Sequence, residues 1–179
     1  MTNDRGFRDL DASSAPEAAR PILEATRAQF GVVPSVVARM VAAPALFVAF
    51  RAAAQAFEQT SLSQIERELV ILVIAREVGC EVCVTMHTRI LQRLEQGALA
   101  EKLVAGIALE DARLAALAAF TRELLVTRGD VGAEIWNAFL DAGYTRAQAL
   151  EITIGCGAYT MSTYANRLTG GTLAAARPD

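Results

Sequence analysis

The chain's single histidine, His87, stands four residues after a Cys-x-x-Cys pair in the string Cys80-Glu81-Val82-Cys83-Val84-Thr85-Met86-His87, and Glu68 lies one helix-length upstream. A thiol acts as a nucleophile through its thiolate. If a helix opens at Cys80, steps of about 100° bring Cys80, Cys83 and His87 to within about 60° of one another on one face. Cys83 and His87 are then an i, i+4 pair in direct reach. Unpaired amides and the helix dipole in the first turn favour an anion there. Cys80 is placed to resolve an oxidised Cys83 as a disulfide. Glu68, folding back across a turn at Gly79, can orient His87 or relay its proton. Nucleophile, base and orienting carboxylate are the parts that an activated thiol needs.

Blander roles compete for the same residues. Zinc wants four good ligands, usually from two separated pairs, and the third cysteine, Cys156, sits alone in an apolar stretch, where it reads as a small buried hydrophobe. No metal site is therefore expected. Glu68 beside Glu66 and Arg67 resembles any solvated helix start. Glu81 favours the dipole but opposes a thiolate next to it. Tyr164 and Asn166, late in an apolar helix, read as packing and hydrogen-bonding groups, and Gly155 and Gly157 as permission for close helix contact.

Helices must hold these residues in place. Met1 to Ser13 reads as an arm. Pro21 opens a helix through Ile22, Leu23 and Phe30 that stops at Gly31. Pro34 and Pro44 start two more, the second with Leu46, Phe47, Phe50 and Phe57 at helical spacing. Ser63-x-x-Glu66 is a capping box. The helix behind it runs to about Val78, apolar nearly all round and so expected to be central. Gly79 ends it. The cysteine helix is expected from Cys80 to Gly97, followed by helices at Leu99 to Ala105, Asp111 to Thr127, Ala133 to Ala142 and Thr145 to Leu168. The expected organisation is an arm over 1–13, one helical domain over 14–171, and a frayed tail over 172–179. Leu62-Ser63-x-x-Glu66 is echoed by Tyr144-Thr145-x-x-Gln148, which points to two similar helical halves, with Cys80 opposite Ser162 and Cys83 opposite Ala165.

Composition narrows the class. A chain of 179 residues with 53% hydrophobic content suits one ordinary domain. It is alanine-rich, and alanine is the best helix former, so an all-α fold is expected. A net charge of −3 argues against nucleic acid as partner. The longest apolar run, Leu69 to Ala75, falls far short of the ~20 residues that span a bilayer. The polar start lacks a secretory h-region, so the expected location is the cytoplasm, where thiols stay reduced.

The strings Leu62-Ser63-x-x-Glu66-Arg67-Glu68-Leu69-Val70 and Gly79-Cys80-Glu81-x-Cys83-x-x-x-His87 resemble the alkylhydroperoxidase D-like branch of the carboxymuconolactone decarboxylase superfamily, especially its peroxidase-related members. Phe30-Gly31-x-x-Pro34 and Asn166-Arg167-Leu168 extend the likeness over most of the chain. The resemblance implies a compact helical bundle that assembles into homo-oligomers, commonly trimers or hexamers. It also implies Cys83 as peroxidatic, Cys80 as resolving, His87 as base and Glu68 as relay carboxylate. Val82 departs from the pattern, since the characterised peroxidase carries a histidine between its cysteines.

The function so implied is two-electron reduction of a hydroperoxide, with the thiols restored by an external dithiol such as a lipoyl domain or a thioredoxin-like protein. No flavin, nicotinamide or haem motif is apparent, so no cofactor is expected. Val82, Val84 and Met86 favour an organic hydroperoxide. The alternatives are a dithiol–disulfide oxidoreductase or redox sensor, and a lactone decarboxylase or small-molecule binder in which the cysteines are incidental.

Overall fold

The computed structural model describes residues 5–178. Among them the regular structure is helical: a 3-10 turn at Glu17–Ala19, then α1 (Arg20–Phe30), α2 (Ser35–Met40), α3 (Pro44–Glu58), α4 (Gln64–Val78), α5 (Glu81–Arg93), α6 (Gly97–Ala105), α7 (Ala112–Val126), α8 (Ala133–Asp141) and α9 (Arg146–Thr169). No described helix is long and apolar enough to cross a membrane. The all-α expectation holds.

Two compact units emerge, one of Ala52–Thr160 and one of Met1–Arg51 with Met161–Asp179. In the first, α4 is the centre. It packs against α5, α6 and α7, and Leu69 to Ala75 are all buried, as its all-round apolarity requires. Both halves of its capping box form: the Ser63 hydroxyl accepts from the Glu66 amide, and the Ser63 amide donates to the Glu66 carboxylate. The echo at Thr145 and Gln148 makes the same reciprocal bonds. Phe120, Phe139 and Tyr144 stack in succession beside α7 and α8.

The other unit gathers Ala15, Ala19, Leu23, Val33, Ala38 and Val41 into a small core. Asp9 ties it together, accepting from the Ser35 hydroxyl, the Arg39 guanidinium and the Arg177 amide. Burial alone would raise the Asp9 carboxyl, yet these donors hold it below the ordinary aspartate value. The segment after α9, expected to fray, is bonded to the chain near α2: Ser35 donates to the Ala174 carbonyl, Val36 to Thr172, and Ala176 to Val33.

One boundary differs from expectation. α5 ends at Arg93 instead of running to Gly97, because Glu95 takes a left-handed backbone (φ 61°) and the Gln96 amide closes back on the Leu91 carbonyl. Gly97, expected as a stop, opens α6.

Candidate functional site

Gly79 supplies the corner between the two helices that carry the motif. Its left-handed φ of 72° is a conformation glycine adopts without strain. The Gly79 amide bonds to the Arg76 carbonyl and the Cys80 amide to the Ala75 carbonyl, so α4 closes cleanly. Cys80 is the N-cap of α5, with extended φ and ψ of −94° and 94°. Cys83 therefore occupies the third helical position, within the turn whose amides lack intrahelical partners. No disulfide joins the two sulfurs. Both side chains are about as buried as any in the chain, Cys80 and Cys83 each 2% exposed, and they pack with Ala75 under partly buried Val82 and Val84.

One turn further along, His87 is 3% exposed. Its Nδ1 lies 2.7 Å from Glu68 Oε2. A carboxylate at this place accepts from the imidazole, so the proton of the contact sits on Nδ1. Nε2 is itself buried and without a hydrogen-bond partner. The structure brings Glu68 and His87 together across the Gly79 corner.

Sequence reasoning did not identify the aromatic wall behind the imidazole. The Tyr159 ring stands edge-to-face with His87, centroids 5.5 Å apart at 87°. Phe57 packs against Tyr159 in turn, at 6.2 Å and 71°. Phe57 reaches that place because position 155 is glycine: a Cβ there would lie 2.8 Å from two of its ring carbons. The close-contact expectation thus holds for Gly155 and fails for Gly157, where a Cβ would meet nothing within 4 Å. No local signal could have found Tyr159, since its partner lies far off in the chain.

Glu66 also does more than cap. Its Oε1 accepts from the Tyr144 hydroxyl at 2.9 Å and from Arg113, whose guanidinium sits 3.9 Å above the Tyr144 ring. Burial raises the Glu66 carboxyl, but bonds from Ser63, Tyr144 and Arg113 outweigh it and hold it below the usual glutamate value. The Tyr144 phenol is pushed up by burial and by that carboxylate. Cys156 is half-buried, and burial pushes its thiol up to about 12, so at neutral pH it stays protonated and inert. Among the described residues no cluster of three metal-ligating side chains occurs.

Residues 42–128 match the model of the carboxymuconolactone decarboxylase family. No curated protein matches the chain in sequence. An uncharacterized peroxidase-related protein from Silicibacter sp. TM1040 shares the fold with a TM-score of 0.74 at 20% identity, over 100% of this chain and 95% of that one. A second such protein, from Ralstonia eutropha JMP134 and described as an alkylhydroperoxidase AhpD core, gives 0.72 at 20% identity, over 97% and 91%. A variant of the debrominase Bmp8 in complex with 2,3,4-tribromopyrrole gives 0.72 at 18% identity, over 97% and 94%.

Proposed function

We infer a thiol peroxidase acting on small organic hydroperoxides, for a chain whose residues 42–128 match the carboxymuconolactone decarboxylase family model and whose all-helical fold is shared with peroxidase-related proteins. The observation that carries this is the Glu68–His87 pair at 2.7 Å, with a bare, buried Nε2 one helical turn from Cys83. Nε2 takes the Cys83 proton. The thiolate attacks the distal oxygen of the hydroperoxide, the O–O bond breaks, and the alkoxide leaves as an alcohol with a proton returned from His87. Cys83 is now a sulfenic acid. The Cys80 thiol displaces its oxygen as water and forms the disulfide. An external dithiol then exchanges with that disulfide and carries away the oxidising equivalents.

Burial of both sulfurs bears on the partners. A folded protein surface cannot bring its own disulfide to sulfurs only 2% exposed, which disfavours general protein dithiol–disulfide exchange. A dithiol on a slim arm, such as a lipoyl group, suits the site better. Val82 and Val84, packed against the two cysteines, favour an apolar substituent on the peroxide. The same dithiol offers a second reading, reductive dehalogenation, in which a carbon–bromine bond is replaced by carbon–hydrogen, bromide leaves and the thiols become the disulfide. Its support is the fold shared with a debrominase.

Mass spectrometry after one equivalent of an alkyl hydroperoxide tests the first reading. The expected product is a Cys80–Cys83 disulfide. Cys80→Ser should hold Cys83 as a sulfenic acid that a dimedone probe captures, and Cys83→Ser should show neither. Full turnover by Cys83→Ser overturns it. Bromide release from a bromopyrrole without peroxide turnover favours the second, and activity that survives alkylation of both thiols favours a decarboxylase.

A further inference from the structure

A cavity opens away from the thiols, within Ala52–Thr160. Helices α6 and α7 both pack on α4 but scarcely touch each other, and a cleft of about 290 Å³ stays open between them. None of Cys80, Cys83, His87 and Glu68 lines it. Its floor is Val73 of α4 and Leu103 of α6, both buried. One wall is α7, where Ala115, Ala118 and Ala119 stand at the spacing of a single helix face and present only methyl groups. The loop between α6 and α7 contributes Ile107 and Leu109. The Ile107 amide is bonded to the Lys102 carbonyl at 2.9 Å, yet the residue is 59% exposed. Its backbone holds an apolar side chain at the rim.

Two arginines supply charge. Arg76 and Arg122 line the cleft, and no carboxylate among the described residues does. Arg76 is held in place: its Nε donates to the Val104 carbonyl at 3.2 Å, and its guanidinium lies so close to Gly106 that a Cβ there would collide with it. Arg122 Nε donates to Glu77 Oε1 at 2.9 Å, and Arg76 Nη1 stands 3.7 Å from that same oxygen. Two cations thus converge on one carboxylate, which does not line the cleft, and a positive charge is left over. Among the described residues the Nη atoms of both arginines donate no hydrogen bond. Such unused N–H groups form the planar fork that matches a carboxylate.

We propose that this cleft binds a straight-chain aliphatic carboxylate of about eight carbons, its headgroup on Arg76 and Arg122 and its chain along the alanine wall. The size follows from the volume: at ~30 Å³ for each water the space holds roughly ten non-hydrogen atoms, the number in octanoate. The shape of the tail follows from the lining. Among the described residues no aromatic ring borders the cleft, so a flat ligand finds nothing to stack on, whereas methyl and methylene surface suits an alkyl chain. Mostly apolar walls with a few charged groups that fix orientation are the usual make-up of a small-ligand site. The proposal uses neither cysteine and is independent of the peroxidase reading.

A methyl NMR titration of the full chain with octanoate tests it. The Val73, Leu103, Ile107 and Leu109 methyl signals should shift together and saturate, with a Kd on the order of 1 mM, as expected for so small a ligand. Octanol, equally long but uncharged, should bind at least about fivefold more weakly, and octylammonium and acetate should leave these methyls unmoved. Arg122 is half-exposed, so Arg122→Gln should keep the fold and weaken octanoate by about tenfold. Arg122→Lys, with the charge but without the fork, should fall between. Ala118→Leu fills the groove and should abolish the shifts; should that variant fail to fold, the ligand series and the Arg122 variants decide. Absence of saturable shifts, octanol binding as tightly as octanoate, or unchanged affinity in Arg122→Gln overturns the proposal. An apolar peptide C-terminus that moves these methyls where octanoate does not also overturns it, in favour of a chain end as occupant.

Discussion

Gly155→Ala tests whether the aromatic wall behind His87 is set by a single missing methyl group. The added Cβ falls 2.8 Å from two carbons of the Phe57 ring, which is 1% exposed and has little room to withdraw. Overpacking of a core costs about 1–3 kcal/mol. Alanine returns roughly 0.8–1 kcal/mol of helix propensity over glycine. With two ring atoms in conflict, the net loss lies in the upper part of the difference, about 1–2 kcal/mol, or about 2–8 °C in Tm for a chain of this length. In the Phe57→Leu background the obstruction is gone and only the propensity gain remains, so the same change should stabilise by up to about 1 kcal/mol. The coupling between the two positions is then about 2–3 kcal/mol. Urea unfolding of the wild type, both single variants and the double variant measures it. An equal cost for Gly155→Ala in both backgrounds refutes the assignment, because the strain would then lie elsewhere. Activity gives a second readout. If the displaced Phe57 tilts Tyr159 off the imidazole, loss of an edge-to-face contact worth about 0.5–1.5 kcal/mol slows hydroperoxide reduction by about two- to twelve-fold.

Glu68→Gln should keep the fold, since an amide oxygen can still accept from Nδ1, but exchanges a charge-assisted bond for a neutral one about half as strong. Stopped-flow reduction of an alkyl hydroperoxide should slow by about tenfold, and Glu68→Ala by more; an unchanged rate in both removes the carboxylate from the proposed mechanism. Tyr159→Phe should retain the tautomer of the sole histidine, read from its ring nitrogens by NMR, whereas Tyr159→Leu should broaden or mix it. Glu66 is held below its ordinary value in the fold, so its contribution to stability is complete above about pH 4.5, the unfolded value, and is lost as pH falls through the lower folded one. Thermal melts of the wild type should therefore drop steeply in that acid window, and Glu66→Gln should flatten the drop at the cost of a lower Tm at neutral pH. Cys156→Ser should leave turnover unchanged, as measured in the peroxide assay.

Local signals carried most of the fold. Capping boxes, the Gly79 corner and the all-round apolarity of α4 are written in residues that act on their immediate neighbours, and each formed as expected. The Glu68–His87 contact was legible because two adjacent helices and one glycine turn decide it. What escaped was long-range. The contact of Tyr159 with His87 depends on how α9 lies against α5, and Glu66 meets Tyr144 and Arg113 only once α4, α7 and the start of α9 have packed. The break at Leu94 to Gln96 was hidden because leucine, glutamate and glutamine all favour helix, while the turn that stops α5 uses a glutamate in a conformation that carries no sequence flag.

Cys80 stands just outside the helix that holds Cys83. Its amide is bonded to the Ala75 carbonyl and its carbonyl accepts from the Val84 amide, so its backbone is held from both helices and only its side chain is left to turn. An N-cap and the third helical position are also spaced within the reach of a disulfide bridge. Under the proposed mechanism, the disulfide would close and reopen by rotation of side chains between two backbone positions that the helices already fix.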